Sequence, residues 1–169
     1  MGPLGHLGIT LGAAHVSNRA PRLKLNLWVV AFAALLPDLV DKPLYLLGIG
    51  DGRYIGHTLL FVCVVAAAFS LKRRIYGLSL LFGAVLHLLL DWLMGWGGFM
   101  PWLYPFVSHT YTVDFDPGGI FARLSGLFDV AEGVYYNQLG LATELVGLLI
   151  LLGVLCQFFW RYFRAKRSI

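Results

Sequence analysis

Charge is what this sequence holds least of. Asp, Glu, Lys and Arg make up 13% of its 169 residues against 59% hydrophobic residues, and the mean hydropathy is +0.74. A soluble domain carries about a quarter charged residues. The shortage excludes an ordinary soluble enzyme and a disordered chain, and it predicts an integral membrane protein. Cysteine is scarce too: Cys63 and Cys156 lie in separate apolar runs, which argues against a disulfide or a thiolate metal site and predicts two core residues. No Pro/Ser-rich linker, internal repeat or low-complexity tract marks a boundary, so a single membrane domain over 1–169 is expected. The opening MGPLGHLGIT lacks the cationic flank and unbroken apolar core of a cleavable signal peptide, and is expected to stay in the folded protein. The formal net charge is +4, but the basic residues stand in short clusters beside apolar runs. They read as topology signals, with no nucleic-acid surface.

Hydrocarbon, by contrast, is abundant. A bilayer core of about 30 Å takes roughly 20 helical residues, and four segments approach that length: 25–47, 54–71, 75–95 and 140–163. Only Lys72, Arg73 and Arg74 separate the second from the third, which predicts a tight antiparallel hairpin. The positive-inside rule puts that turn, the RAPRLK cluster before the first span and the C-terminal RYFRAKR in the cytoplasm. Residues 48–53 and 96–139 then face outward. The stretch PLGHLGITLGAAHVSN is short for a span. It either crosses, with the N-terminus outside and His6 near the outer end, or lies on the cytoplasmic interface, and hydropathy alone does not separate the two. The expected fold is all-α: a polytopic membrane helix bundle of four spans plus a short fifth at the N-terminus. Residues 120–138 place Ile120, Leu124, Leu127, Phe128, Ala131, Val134 and Tyr135 on one face, which predicts an amphipathic helix on the outer surface, roofing the bundle. Trp92, Trp96, Trp102, Tyr104 and Tyr111 fit an interfacial aromatic belt.

Polar residues inside the spans gather at one depth. Asp38 and Asp41 lie toward the outer end of the first long helix, in LLPDLVDKPL, where Pro37 and Pro43 are expected to kink or unwind the backbone. His57 lies just inside the next, in GRYIGHTLLF. His87 and Asp91, in GAVLHLLLDWLM, are one turn apart on one face of the third, and His6 joins them if the first segment crosses. An ionisable group in the membrane interior costs a few kcal/mol, so such residues face a cavity and neutralise one another. A lone histidine there is a hydrogen-bonded core residue, and a lone aspartate is a cap beside Pro37. A bound divalent cation accounts for the whole set, since imidazole and carboxylate are ligands of zinc and also of manganese and iron.

These motifs, HLGITLG, LPDLVDKPL, GRYIGHTLLF and GAVLHLLLDWLM followed by PWLYPF, resemble the predicted inner-membrane metal-dependent hydrolases, also described as LexA-binding, inner-membrane-associated hydrolases. The resemblance runs from Gly5 to about Phe106. It implies a metal site carried by His6, Asp38, His57, His87 and Asp91. Two details depart from the pattern: Val40 interrupts the family's PDxD pair, leaving Asp41 one place later, and Gly52, Tyr54 and Gly56 differ from its HRGxTHS stretch.

Other residues read either way. His109 lies in PFVSHTYTVDFDPGG, as a substrate-loop acid or part of a solvated loop. Arg53 is able to hold a phosphate bidentately or to snorkel at the interface. Glu144 enters the last span as a base, a support for the site or a helix N-terminal carboxylate, while His15 falls too far from the cluster to ligate. The function expected is metal-dependent hydrolysis of an ester or phosphoester in a lipid or amphiphile at the outer leaflet. Zinc is the first choice of metal, and Asp91, Asp41 or Glu144 is the base. A divalent-metal or proton transporter, or a membrane interaction protein with a structural metal, uses the same residues.

Overall fold

The computed structural model describes residues 2–20, 24–50, 52–94, 101–106, 119–125 and 138–167. Its helices are α1 (Pro3–Ser17), α2 (Leu27–Leu46), α3 (Leu59–Lys72), α4 (Arg74–Leu93) and α5 (Gln138–Arg167), with a 3₁₀ turn at Ile55–His57 between α2 and α3. Local chemistry sets most boundaries. Pro3 opens α1, where its missing N–H is no loss. The Asn26 side chain accepts from Val29 N at 3.1 Å and caps α2, and the Thr58 hydroxyl accepts from Phe61 N at 3.0 Å and caps α3. The hairpin expected at Lys72 to Arg74 is present in its shortest form, one extended residue, Arg73, between two helices.

Helices α2, α3 and α4 close around Ala33, Leu36, Val62, Ala66, Leu80, Ala84 and Leu88. The buried side of α4 reads Gly77, Leu80, Ala84, His87, Leu88 and Asp91, the three-and-four spacing of a helix with one inward stripe. A second cluster, Leu11, Ala14, Leu25 and Val30, ties α1 to α2, with Leu151 of α5 packed on it. Helix α5 docks mainly on α1. The two backbones touch: a Cβ on Gly8 would overlap the Gly147 carbonyl, and one on Gly147 would sit 2.5 Å from Leu4 O. This is the small-residue contact through which membrane helices approach each other.

The span count differs from expectation. Two helices among the described residues are long and apolar enough to cross a membrane, Arg74–Leu93 and Gln138–Trp160. Helix α2 has the length but carries Asp38, Asp41 and Lys42 in its second half. Helix α3 starts only at Leu59, because residues 55–57 are taken up by the 3₁₀ turn, and its 14 residues reach about 21 Å. Helix α1 has 15 residues, about 22 Å. Pro37 and Pro43 lie within α2, whose helix continues through both, so of the expected kinking or unwinding the unwinding does not occur. The cysteines also depart from expectation: Cys63 and Cys156 are both free and exposed, on the outer faces of their helices. Of the expected surface helix at 120–138, residues 120–125 are helical, with Phe121 83% exposed. The rest of it, with His109, Trp96 and Tyr111, lies outside the described residues.

Candidate metal centre

His6 comes from the first turns of α1, Asp38 and Asp41 from the second half of α2, His57 from the 3₁₀ turn, and His87 and Asp91 from the last turns of α4. Alternating helix direction brings these points to one end of the bundle. His6, Asp41, His57 and His87 are fully buried and Asp91 is 5% exposed.

Asp41 is the keystone. Its carboxylate accepts from the backbone N–H groups of Tyr54 at 2.6 Å, Gly56 at 2.7 Å and His57 at 3.2 Å, and from His57 Nδ1 at 2.7 Å. The loop must double back over α2 to make these bonds. Gly50 and Gly52 turn it with φ of +72° and +91°, a region that strains any side-chain-bearing residue. Gly56 passes so close that a Cβ would lie 2.6 Å from Pro37 O.

The bond to Asp41 fixes the ring of His57: Nδ1 carries the proton and Nε2 presents its lone pair. His87 is fixed likewise, donating from Nδ1 to the Ala34 carbonyl at 2.7 Å. The two bare Nε2 atoms face each other at 3.4 Å. Asp91 Oδ2 lies 3.5 Å from His57 Nε2 and 3.9 Å from His87 Nε2, and Asp38 Oδ1 lies 3.9 Å from His57 Nε2. Three lone-pair donors, His57 Nε2, His87 Nε2 and Asp91 Oδ2, thus stand within 3.4–3.9 Å of one another, with Asp38 Oδ1 beside His57. Ligands around a tetrahedral zinc, with bonds near 2.0–2.1 Å, stand about 3.3 Å apart, close to the shorter of these separations. A proton shared between the imidazoles would satisfy one pair only, whereas a divalent cation would satisfy His57, His87 and Asp91 together. Imidazoles anchored through Nδ1 to a carboxylate and a carbonyl also match the outer contacts of metal-binding histidines.

His6 completes the wall. Its ring stacks on His87 at 4.0 Å, and its Nε2 donates to Asp91 Oδ1 at 3.0 Å, turning the other oxygen toward the two imidazoles. His6, His87 and Asp91 form one group able to hold a metal, and Asp38, His57 and His87 a second that shares His87. The buried His6 Nδ1, Thr10 Oγ1 and Trp102 Nε1 have no hydrogen-bond partner among the described residues.

Glu144, 3% exposed, has its oxygens on the backbone N–H groups of Leu4 at 3.1 Å and Gly5 at 3.0 Å. It caps α1 from another helix, filling the place of the side-chain cap that Gly2 lacks. Arg53 Nε lies 3.3 Å from Asp91 Oδ2. His15, at the other end of α1, pairs with Gln157 at 2.9 Å, away from the centre as expected. Sequence reasoning named Gly56 only as a departure from the family pattern and passed over Lys42. A glycine directly before the site histidine was the available signal for the first. For the second it was a lysine one turn after Asp38, whose Nζ is 3.7 Å from Asp38 Oδ1.

The fold and the site define a helical membrane protein with a buried imidazole and carboxylate centre able to hold a metal ion. The chain belongs to the YdjM inner membrane protein family, whose model matches residues 1–164. No curated protein and no solved structure matches it.

Proposed function

We propose that the protein is a membrane-embedded, metal-dependent hydrolase acting on an ester or phosphoester of a lipid or amphiphile at the outer leaflet. Five segments, α1 to α5, are seated in or against the bilayer in this reading, with the N-terminus outside and the C-terminus in the cytoplasm. The two short helices are accommodated by packing one side on the longer ones. The observation that carries the proposal is the meeting of two imidazole nitrogens and the Asp91 carboxylate at 3.4–3.9 Å, with the Asp38 carboxylate 3.9 Å from His57.

His57, His87 and Asp91 would hold the cation, with zinc the first choice and manganese or iron suited to the same donors. When bound, it supplies Lewis acidity and makes a coordinated water acidic near neutral pH. The chain does the rest. Asp41 and the Ala34 carbonyl hold the imidazoles in one tautomer, and His6 turns Asp91 inward. Glu144, committed to the start of α1, keeps His6 in place. Asp38, with a side chain 31% exposed, closes the group on the solvent side and is the carboxylate placed to accept a proton from water entering there. Transport fits less well: between His87 and the opposite end, the described buried side chains are mostly apolar, among them Leu11, Ala14, Val30, Ala33, Ala66, Leu80 and Ala84, with the hydroxyls of Thr10 and Ser79 as the polar groups there.

The test pairs metal analysis of the purified protein with product release from a panel of lipid esters and phosphoesters. Stoichiometric metal and chelator-sensitive release are expected. Full metal content with no release from any member, together with cation flux in liposomes, would replace the hydrolase reading with transport.

A further inference from the structure

The end of the bundle opposite the metal centre carries cations and, among the described residues, no acidic side chain. All nine Asp and Glu residues of the chain lie within 38–51 or 91–144, whereas basic clusters at 19–24, 72–74 and 161–167 precede α2, join α3 to α4 and end α5. Lys72, Arg73 and Arg74 are exposed, and no acidic residue occurs in 52–90 to offset them.

Beside this turn α3 and α4 leave a groove of about 270 Å³ on their outer side. Cys63 and Ala67 of α3 and Leu78 and Leu81 of α4 form its walls, and Arg74, the first residue of α4, lines its end at the turn. The helices meet at its floor, where a Cβ on Gly77 would overlap Ser70 Oγ and lie 2.5 Å from Ala66 O. From Cys63 to Ser70 the groove follows α3 for about 10 Å. It is apolar along its length and cationic at one end. That is the complement of a phospholipid, an acyl chain joined to an anionic phosphate.

A second copy of the chain suits this groove less well. Two copies side by side in one membrane, in the same orientation, bring their basic ends together, and like charges set against each other oppose association. A zwitterionic lipid brings no net charge to the turn. We propose that the groove holds an anionic phospholipid of the leaflet at the basic end, which the positive-inside rule makes the cytoplasmic one. One acyl chain lies between α3 and α4, and the phosphate rests against Arg74, with Lys72 and Arg73 adding to the attraction. Basic pockets between membrane helices bind anionic headgroups in this way, each cation contributing about 5-fold to affinity. The site is separate from the metal centre and does not depend on what that centre does.

The experiment titrates the full chain, in a neutral detergent, with phosphatidylglycerol or phosphatidylcholine of the same acyl chains and counts bound lipid by native mass spectrometry. The wild-type chain should hold one phosphatidylglycerol, at least about 10-fold more tightly than phosphatidylcholine. Arg74→Gln should weaken phosphatidylglycerol binding about 5-fold and leave phosphatidylcholine unchanged. Ala67→Trp fills the groove from an exposed position and should abolish binding of both lipids. Ala68→Trp, the same change at the next residue, exposed but outside the groove, should leave binding as in the wild type. Equal affinity for the two lipids, binding retained in Ala67→Trp, or the same loss in Ala68→Trp overturns the proposal. So does a wild-type dimer that persists with lipid present and that Ala67→Trp separates, since the groove would then be a contact between copies.

Discussion

Helices α4 and α5 are both long and apolar enough to cross a membrane, yet they bury themselves in different surroundings. Half of the apolar window of α4 is inside the protein, against 17% for α5. Helix α4 presents a stripe of small and ionisable residues to α2 and α3, ending in His87 and Asp91. Helix α5 touches the bundle chiefly along α1, at Glu144, Gly147, Ile150 and Gln157, and past that contact Phe158, Phe159, Trp160 and Phe163 are exposed. Total apolarity is therefore a poor guide to what a membrane helix touches. Position by position, small residues mark contact with protein, and large apolar residues all round mark contact with lipid.

The sharpest way to break this contrast is at the end of α4. His87→Ala should reduce metal affinity more than about 100-fold while the protein still inserts, and Asp91→Asn should do nearly the same. Metal content of the membrane-extracted variants decides it. Full occupancy with lower thermal stability would make the pair a structural hydrogen-bond element.

The next effect is in the parts that hold the ligands. Asp41→Asn leaves an amide where three backbone N–H groups and an imidazole N–H converge. A loss of about 10- to 100-fold in metal affinity is expected, as for other groups that orient a ligand, measurable by competition with a calibrated chelator.

On α5 the comparison is internal. Gly147→Ala forces a methyl into the backbone of α1 and should cost about 1–3 kcal/mol, a drop of several degrees in Tm. Gly153→Ala, six residues along the same helix, meets nothing within 4 Å and should be neutral or slightly stabilising. Equal shifts for the two would show that α5 does not dock on α1 through Gly147.

The smallest effect is at Glu144. Glu144→Gln keeps the shape but weakens the charged cap on α1, costing about 1 kcal/mol. It should appear as faster hydrogen exchange at Leu4 and Gly5, with metal retained.

Much of this was legible beforehand, for definite reasons. Run length and the Lys72 to Arg74 turn located α3 and α4 and fixed their antiparallel order. Four-residue spacing put His87 and Asp91 on one face. The misreadings share one cause: hydropathy averages over a segment and is blind to where the chain turns. Residues 54–58 looked like the start of a span because Tyr54 and Ile55 are apolar. Residues 55–57 form a 3₁₀ turn instead, with the N–H groups of Tyr54, Gly56 and His57 bonded to Asp41. Cys63 and Cys156 looked like core because their neighbours in sequence are apolar, but among the described residues both are exposed, on sides of α3 and α5 turned away from the core clusters.

Periodicity and hydrocarbon content alone made the chain helical and membrane-bound and drew its histidines and aspartates to one level. Each follows from a local rule: apolar runs have to satisfy their backbone internally, and successive helices reverse direction. The roles of the individual carboxylates were decided by packing. Asp41, Asp91 and Glu144 are all carboxylates in apolar sequence. One meets a folded-back loop, one an imidazole wall, and one the start of a helix 139 residues away in the chain. What an ionisable group does depends on the donors within hydrogen-bond reach, and those arrive only when distant segments come together.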